Sequence, residues 1–154
     1  MNLVDELHAI SAALVGAGIR HAVCGGVAVT AHGATRSTKD IDILIDPADL
    51  ARAMDLLRPL GYAFAAFPMV FDEGTERSRK VQRISKLQDG EHLVVDFLLA
   101  EASLAGFLEG RVQVDLPEGP LVVVSREVLM QMKRLAGRAQ DLADLEKLES
   151  PQDE

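Results

Sequence analysis

The sequence predicts an α+β (α/β) chain, a mixed twisted β-sheet with helices packed on one face and a C-terminal helical segment, and three stretches carry that expectation. An apolar run ending at Cys24 meets Gly25-Gly26, continues as a short helical stretch and returns as Asp40-Ile41-Asp42-Ile43-Leu44-Ile45. A polar run and an apolar run flank Asp89-Gly90, a dipeptide suited to a two-residue hairpin turn. A last helical pattern begins at Ser125.

Taken in order, Leu3, Leu7, Ile10 and Leu14 recur at helical spacing, so residues 3 to 16 read as an amphipathic helix that Gly16 and Gly18 end. Ile19 to Cys24 is the first strand, and a helix of about seven residues follows Gly25-Gly26 and stops at Gly33. His32 at its end reads as a packed or dipole-compensating side chain rather than a ligand. After the strand at 40–45, Asp46 caps and Pro47 opens a helix running to about Pro59. Gly61 to Phe67 reads as extended and Asp72-Glu73-Gly74-Thr75 as a loop. The hairpin strands cover 79 to 88 and Glu91 to Leu99, and a two-residue turn between them sets Arg83 opposite Asp96 on one face. Residues 101 to 109 are expected to form a short helix. Strands at Arg111 to Leu116 and Leu121 to Val124 surround the turn at 117–120. Ser125 caps the final helical segment, which Gly137 breaks in two, with Lys133 in the first piece. Arg138, Asp141 and Asp144 then share a face of the second piece.

A chain of 154 residues fits one domain, expected over 1–149 with 150–154 as a disordered tail. It is 48% hydrophobic and 26% charged, ordinary for a globular protein. No apolar run approaches the roughly 18 residues of a membrane span, and the N-terminus lacks a basic start, so no membrane association and a cytoplasmic location are expected. The single cysteine, Cys24, reads as a small buried hydrophobe. A net charge of −8 argues against a general nucleic-acid coat protein. Against that acidity stand Arg77, Arg79, Lys80, Arg83 and Lys86, either a solvated strand edge or a landing surface for an anionic acceptor such as RNA.

Side chains alternate across a strand, so Asp40, Asp42 and Leu44 share one side while Ile41, Ile43 and Ile45 pack on the other. Two acids roughly 7 Å apart repel unless a positive charge lies between them, and a divalent cation is the natural filler. Magnesium takes one or two carboxylates and completes its shell with phosphate oxygens. The Gly25-Gly26 turn lets backbone N–H groups approach such a phosphate. Asp96, in an apolar run, has two readings: Arg83 simply neutralises it, or it completes the metal site with Arg83 tuning it.

Gly25-Gly26, thirteen residues, Asp40-Ile41-Asp42-Ile43, and the later lone acid of Val94-Val95-Asp96-Phe97-Leu98 resemble the signature of the polymerase-β-type nucleotidyltransferase superfamily. Gly25-Gly26-Val27-Ala28 with His32-Gly33, Arg36, Thr38 and the Asp-x-Asp pair is most similar to its AbiEii-like, minimal nucleotidyltransferase branch, associated with toxin–antitoxin systems. The tail Met132-Lys133-Arg134-Leu135-Ala136-Gly137-Arg138 with Asp141-Leu142-Ala143-Asp144-Leu145 is similar to that branch as well.

The resemblance implies a nucleotidyltransferase fold and transfer of a nucleoside monophosphate from an NTP to a hydroxyl on RNA, protein or a small molecule. It implies Asp40, Asp42 and Asp96 as ligands of Mg²⁺ or Mn²⁺, with Asp96 activating the hydroxyl. Gly25, Gly26, Arg36, Thr38 and Lys133 would hold the nucleotide. Gly26 stands where many relatives carry serine and removes one phosphate contact. The resemblance also leaves room for a toxin–antitoxin partner chain, a homodimer completing the groove, or an antitoxin-like binding protein with little catalysis.

Overall fold

A computed structural model describes residues 2–33 and 40–149. Arg36, Thr38 and the expected tail at 150–154 lie outside the described residues.

Helix α1 (Leu3–Gly16) starts where Asn2 accepts from the backbone N–H groups of Val4 and Asp5, and it buries Leu7, Ile10 and Leu14 as its periodicity requires. Strand β1 (His21–Cys24) runs directly into α2 (Gly25–Ala31), so the two glycines are the first helical residues rather than a separate turn. His32 closes α2 by donating from Nε2 to the Val124 carbonyl at 2.8 Å, a packing role. Strand β2 (Asp40–Ile45) follows, and Asp46 accepts from Ala48 N–H to open a 3-10 turn leading into α3 (Leu50–Leu57).

The extended stretch after Gly61 resolves into two short strands, β3 (Phe64–Ala65) and β4 (Met69–Phe71), which pair with different halves of β5 (Arg79–Gln88). Strand β6 (Glu91–Leu99) returns through Asp89 and Gly90, both at positive φ (52° and 78°), the conformation a two-residue hairpin turn demands.

The helix expected over 101–109 does not form. A single 3-10 turn (Ala102–Leu104) is followed by further turns, with Ala102, Gly106 and Gly110 at φ 52°, 79° and 74°. Left-handed residues at that spacing leave no run long enough to nucleate a helix. Strands β7 (Val112–Leu116) and β8 (Gly119–Val123) then make a tighter hairpin than expected. Helix α4 (Arg126–Ala136) is capped by Ser125 Oγ, and Gly137 at φ 63° separates it from α5 (Ala139–Glu149).

Among the described residues eight strands form one mixed sheet of order β3-β5-β6-β2-β1-β8-β7, with β4 also on β5. The β2/β6 and β1/β8 pairs are parallel and the others antiparallel. Ile41, Ile43 and Ile45 and their β6 neighbours Val95 and Phe97 are buried in one core with Ile10 and Leu14 of α1 and with Ala53 and Leu57 of α3.

Candidate active site

The central strands bring the predicted acids together by register. Cys24 faces Asp42 across β1/β2, Asp42 faces Asp96 across β2/β6, and Asp96 faces Arg83 across β6/β5. Register partners share a sheet face, so these four side chains form one row, with Asp40 on the same face two residues away.

Arg83 holds Asp96 with both arms of its guanidinium, Nε donating to Oδ1 at 2.8 Å and NH2 donating to Oδ2 at 3.0 Å. This contact raises the Arg83 pKa against the opposing effect of burial, and the charges of Asp40 and Asp42 add to the rise. Among the described residues Asp42 has no such fork. Burial first, then the charges of Asp96 and Asp40, push its carboxyl up to about 7, while Lys133 and Arg138 pull the other way. Cys24 is fully buried, and burial with the Asp42 charge holds its thiol well above its ordinary value, so it is no nucleophile.

Gly25 ties the glycine pair to this row. Its φ is +65°, and a Cβ built there would overlap the Asp42 carboxylate at Oδ2. Only glycine lets the chain pass so close to the acid. Cys24, at the N-cap of α2, makes no side-chain cap bond, and the α2 N-terminal N–H groups begin at this point.

Lys133 is buried, its ammonium 3.0 Å from Asp144 Oδ2 and 3.4 Å from Asp141 Oδ1, with its charge felt at Asp42. Arg138 donates from Nε to Asp141 Oδ2 at 2.7 Å. Burial alone would raise the Asp141 carboxyl; Arg138 and Lys133 together outweigh it and hold the pKa below its ordinary value. The sequence paired Arg138 with these acids and missed that Lys133 sits between them, because the bend at Gly137 sets that contact.

The cationic run is largely neutralised. Arg79 pairs with Asp72, Lys80 with Glu101, Arg83 with Asp96 and Lys86 with Glu6, at 2.8, 3.6, 2.8 and 2.7 Å. The hairpin register predicted the Arg83–Asp96 pair, whereas Glu101 and Glu6, distant in sequence, supply partners that the run itself could not reveal. Arg77 instead borders a cleft beside α4.

The donor set suits a hard divalent cation, with carboxylates of Asp40, Asp42 and Asp96 on one sheet face and more negative charge than Arg83 balances. Among the described residues no three His, Cys, Asp or Glu side chains close around a metal position. A cation here would therefore rely on few protein ligands.

No protein-family model matches the sequence, and no curated protein matches it. Solved structures do. A Thermotoga maritima protein assigned as a nucleotidyltransferase, TM1012, superimposes with TM-score 0.65 at 18% identity, covering 94% of this chain and 90% of its own. ANT(2")-Ia in complex with adenylyl-2"-tobramycin gives 0.61 at 16% identity, over 94% of this chain and 86% of its own. The lincosamide antibiotic adenylyltransferase LnuA, lincomycin-bound, gives 0.59 at 16%, over 95% and 96%. The chain thus has the nucleotidyltransferase fold. No helix among the described residues is long and apolar enough to cross a membrane.

Proposed function

We propose that this chain is a divalent-cation-dependent nucleotidyltransferase that moves a nucleoside monophosphate from an NTP to a hydroxyl. One observation carries the reading: Asp42 and Asp96 are neighbours on adjacent parallel strands, with the Gly25 backbone packed against Asp42. Carboxylates of the Asp40, Asp42 and Asp96 row would hold Mg²⁺ or Mn²⁺, fewer than three of them around any one ion as the described side chains stand, and the ion would supply positive charge to the phosphate oxygens. Gly25 and Gly26 offer backbone N–H groups to the triphosphate, Arg36 and Thr38 complete its seat, and Lys133, whose ammonium is buried between Asp144 and Asp141, lends its charge to the site from there. The acceptor oxygen bonds to the α-phosphorus, the bond from that phosphorus to pyrophosphate breaks, and pyrophosphate leaves with the electron pair. Asp96 takes the hydroxyl proton; each of its oxygens keeps a lone pair beyond the one Arg83 occupies.

Neutralisation of four of the five clustered cations favours a small-molecule or protein hydroxyl over RNA as the acceptor. Calorimetry with each NTP, with and without Mg²⁺, tests the reading on the wild type and Asp42→Ala. Metal-dependent binding lost in the variant is expected; absence of binding to all four would overturn it.

A second reading, a toxin–antitoxin component that binds a partner chain with little catalysis, is favoured by Phe64, Phe67, Val70 and Phe71, all exposed along the β3/β4 edge. Exposed apolar side chains grouped at a sheet edge mark an interaction surface. Co-purification with a dedicated partner, together with no nucleotide binding, would move the assignment there.

A further inference from the structure

A cleft of about 430 Å³ lies between the loop entering β5, the turns after β6 and helix α4, lined by Arg77, Ser103, Phe107, Gln131, Arg134 and Leu135. No acid lines it, in a chain of net charge −8. Ser103 Oγ lies behind the lining, closed off from solvent and with no hydrogen-bond partner among the described residues. The Arg77 guanidinium enters none of the described ion pairs and stands 4.0 Å from where a Cβ on Gly137 would be. Arg134 reaches only Glu149, at 3.3 Å, and both of these side chains are more than half exposed, so that pair exchanges at little cost. Phe107 and Leu135 supply an apolar wall, each half-buried and packed against the core.

Two guanidiniums and an amide lining one cleft beside an aromatic ring suit a ligand with an oxyanion at one end and an apolar body at the other. We propose that this cleft binds a small organic phosphomonoester, its phosphate held by Arg77 and Arg134 with Gln131 donating, and its body against Phe107 and Leu135. In one respect this inference rests on the nucleotidyl-transfer reading: that reading makes the phosphomonoester the hydroxyl acceptor.

The test is a titration with phenyl phosphate in metal-free, low-salt buffer, followed by NMR shifts and calorimetry. Saturable binding is expected, weakened about tenfold by Arg77→Ala and by Arg134→Ala and persisting in Asp42→Asn. Benzyl alcohol, which keeps the ring and lacks the anion, is expected not to saturate. ATP with Mg²⁺ is expected to bind alongside phenyl phosphate. No saturation by about 10 mM, equal affinity in the arginine variants, or displacement by ATP would overturn the inference. Failure of ATP to bind at all, with phenyl phosphate still held by the two arginines, supports the cleft and counts against the nucleotidyl-transfer reading and the acceptor assignment alone.

Discussion

Asp42 and Asp96 face each other across the parallel β2/β6 pair, and among the described residues an arginine fork balances Asp96 but not Asp42. The row therefore carries at its centre a carboxylate that Lys133 and Arg138 compensate only in part, with burial and its acidic neighbours holding the Asp42 pKa at about 7. Carboxylates perturbed in this way cluster at functional sites.

Asp42→Asn is expected to raise the melting temperature of the metal-free protein at pH 8, because it removes a crowded charge while keeping the side chain's shape. The same variant should lose Mg²⁺-dependent nucleotide binding. Scanning calorimetry and nucleotide titration on one preparation check both outcomes, and a lower melting temperature would show that the carboxylate is already compensated.

Arg83→Ala removes both hydrogen bonds to Asp96 and leaves three acids together on one face. A loss of about 2 kcal/mol in urea unfolding is expected, since bonds to charged groups are worth more than neutral ones and Arg83 is partly exposed. Added Mg²⁺ should restore part of that loss by supplying charge to the same acids.

Gly25→Ala would force a Cβ onto the Asp42 carboxylate at a left-handed backbone position. Strain of that kind costs about 1–3 kcal/mol. Nucleotide affinity should fall as well, whereas Gly74→Ala, also at positive φ but with open space around it, should leave nucleotide binding intact.

The Lys133–Asp141–Asp144 cluster makes stability pH-dependent. The Asp141 carboxyl titrates lower in the folded chain than in the unfolded one, so the unfolded state binds the proton first and the contribution is complete above about pH 4. It is lost as pH falls through the folded value. Asp141→Asn is accordingly expected to be less stable than the wild type at pH 7 and to converge with it on acidification. Lys133→Met should cost about 3–5 kcal/mol at pH 7 by stranding two buried acids.

Much of this arrangement was legible in the chain. Asp89-Gly90 fixed the β5/β6 register, and with it the Arg83–Asp96 pair, because a two-residue turn admits one pairing. The alternation in β2 separated the acids from Ile41, Ile43 and Ile45. The 101–109 stretch was misread because its apolar spacing suits a helix while the backbone at Ala102, Gly106 and Gly110 turns left-handed. The rest of the cationic run looked unopposed because Glu6 and Glu101 arrive from other elements.

By itself the sequence determined the local facts: strand faces, helix caps, the hairpin turn and the glycine pair, all set by interactions among residues a few positions apart. Tertiary structure alone decided that β2 and β6 run side by side in parallel, bringing Asp42 to Asp96, and that the bend at Gly137 folds Asp141 and Asp144 onto Lys133. Those contacts join residues far apart along the chain or across a break in helical periodicity. No local pattern encodes them, since they follow from how the whole core packs.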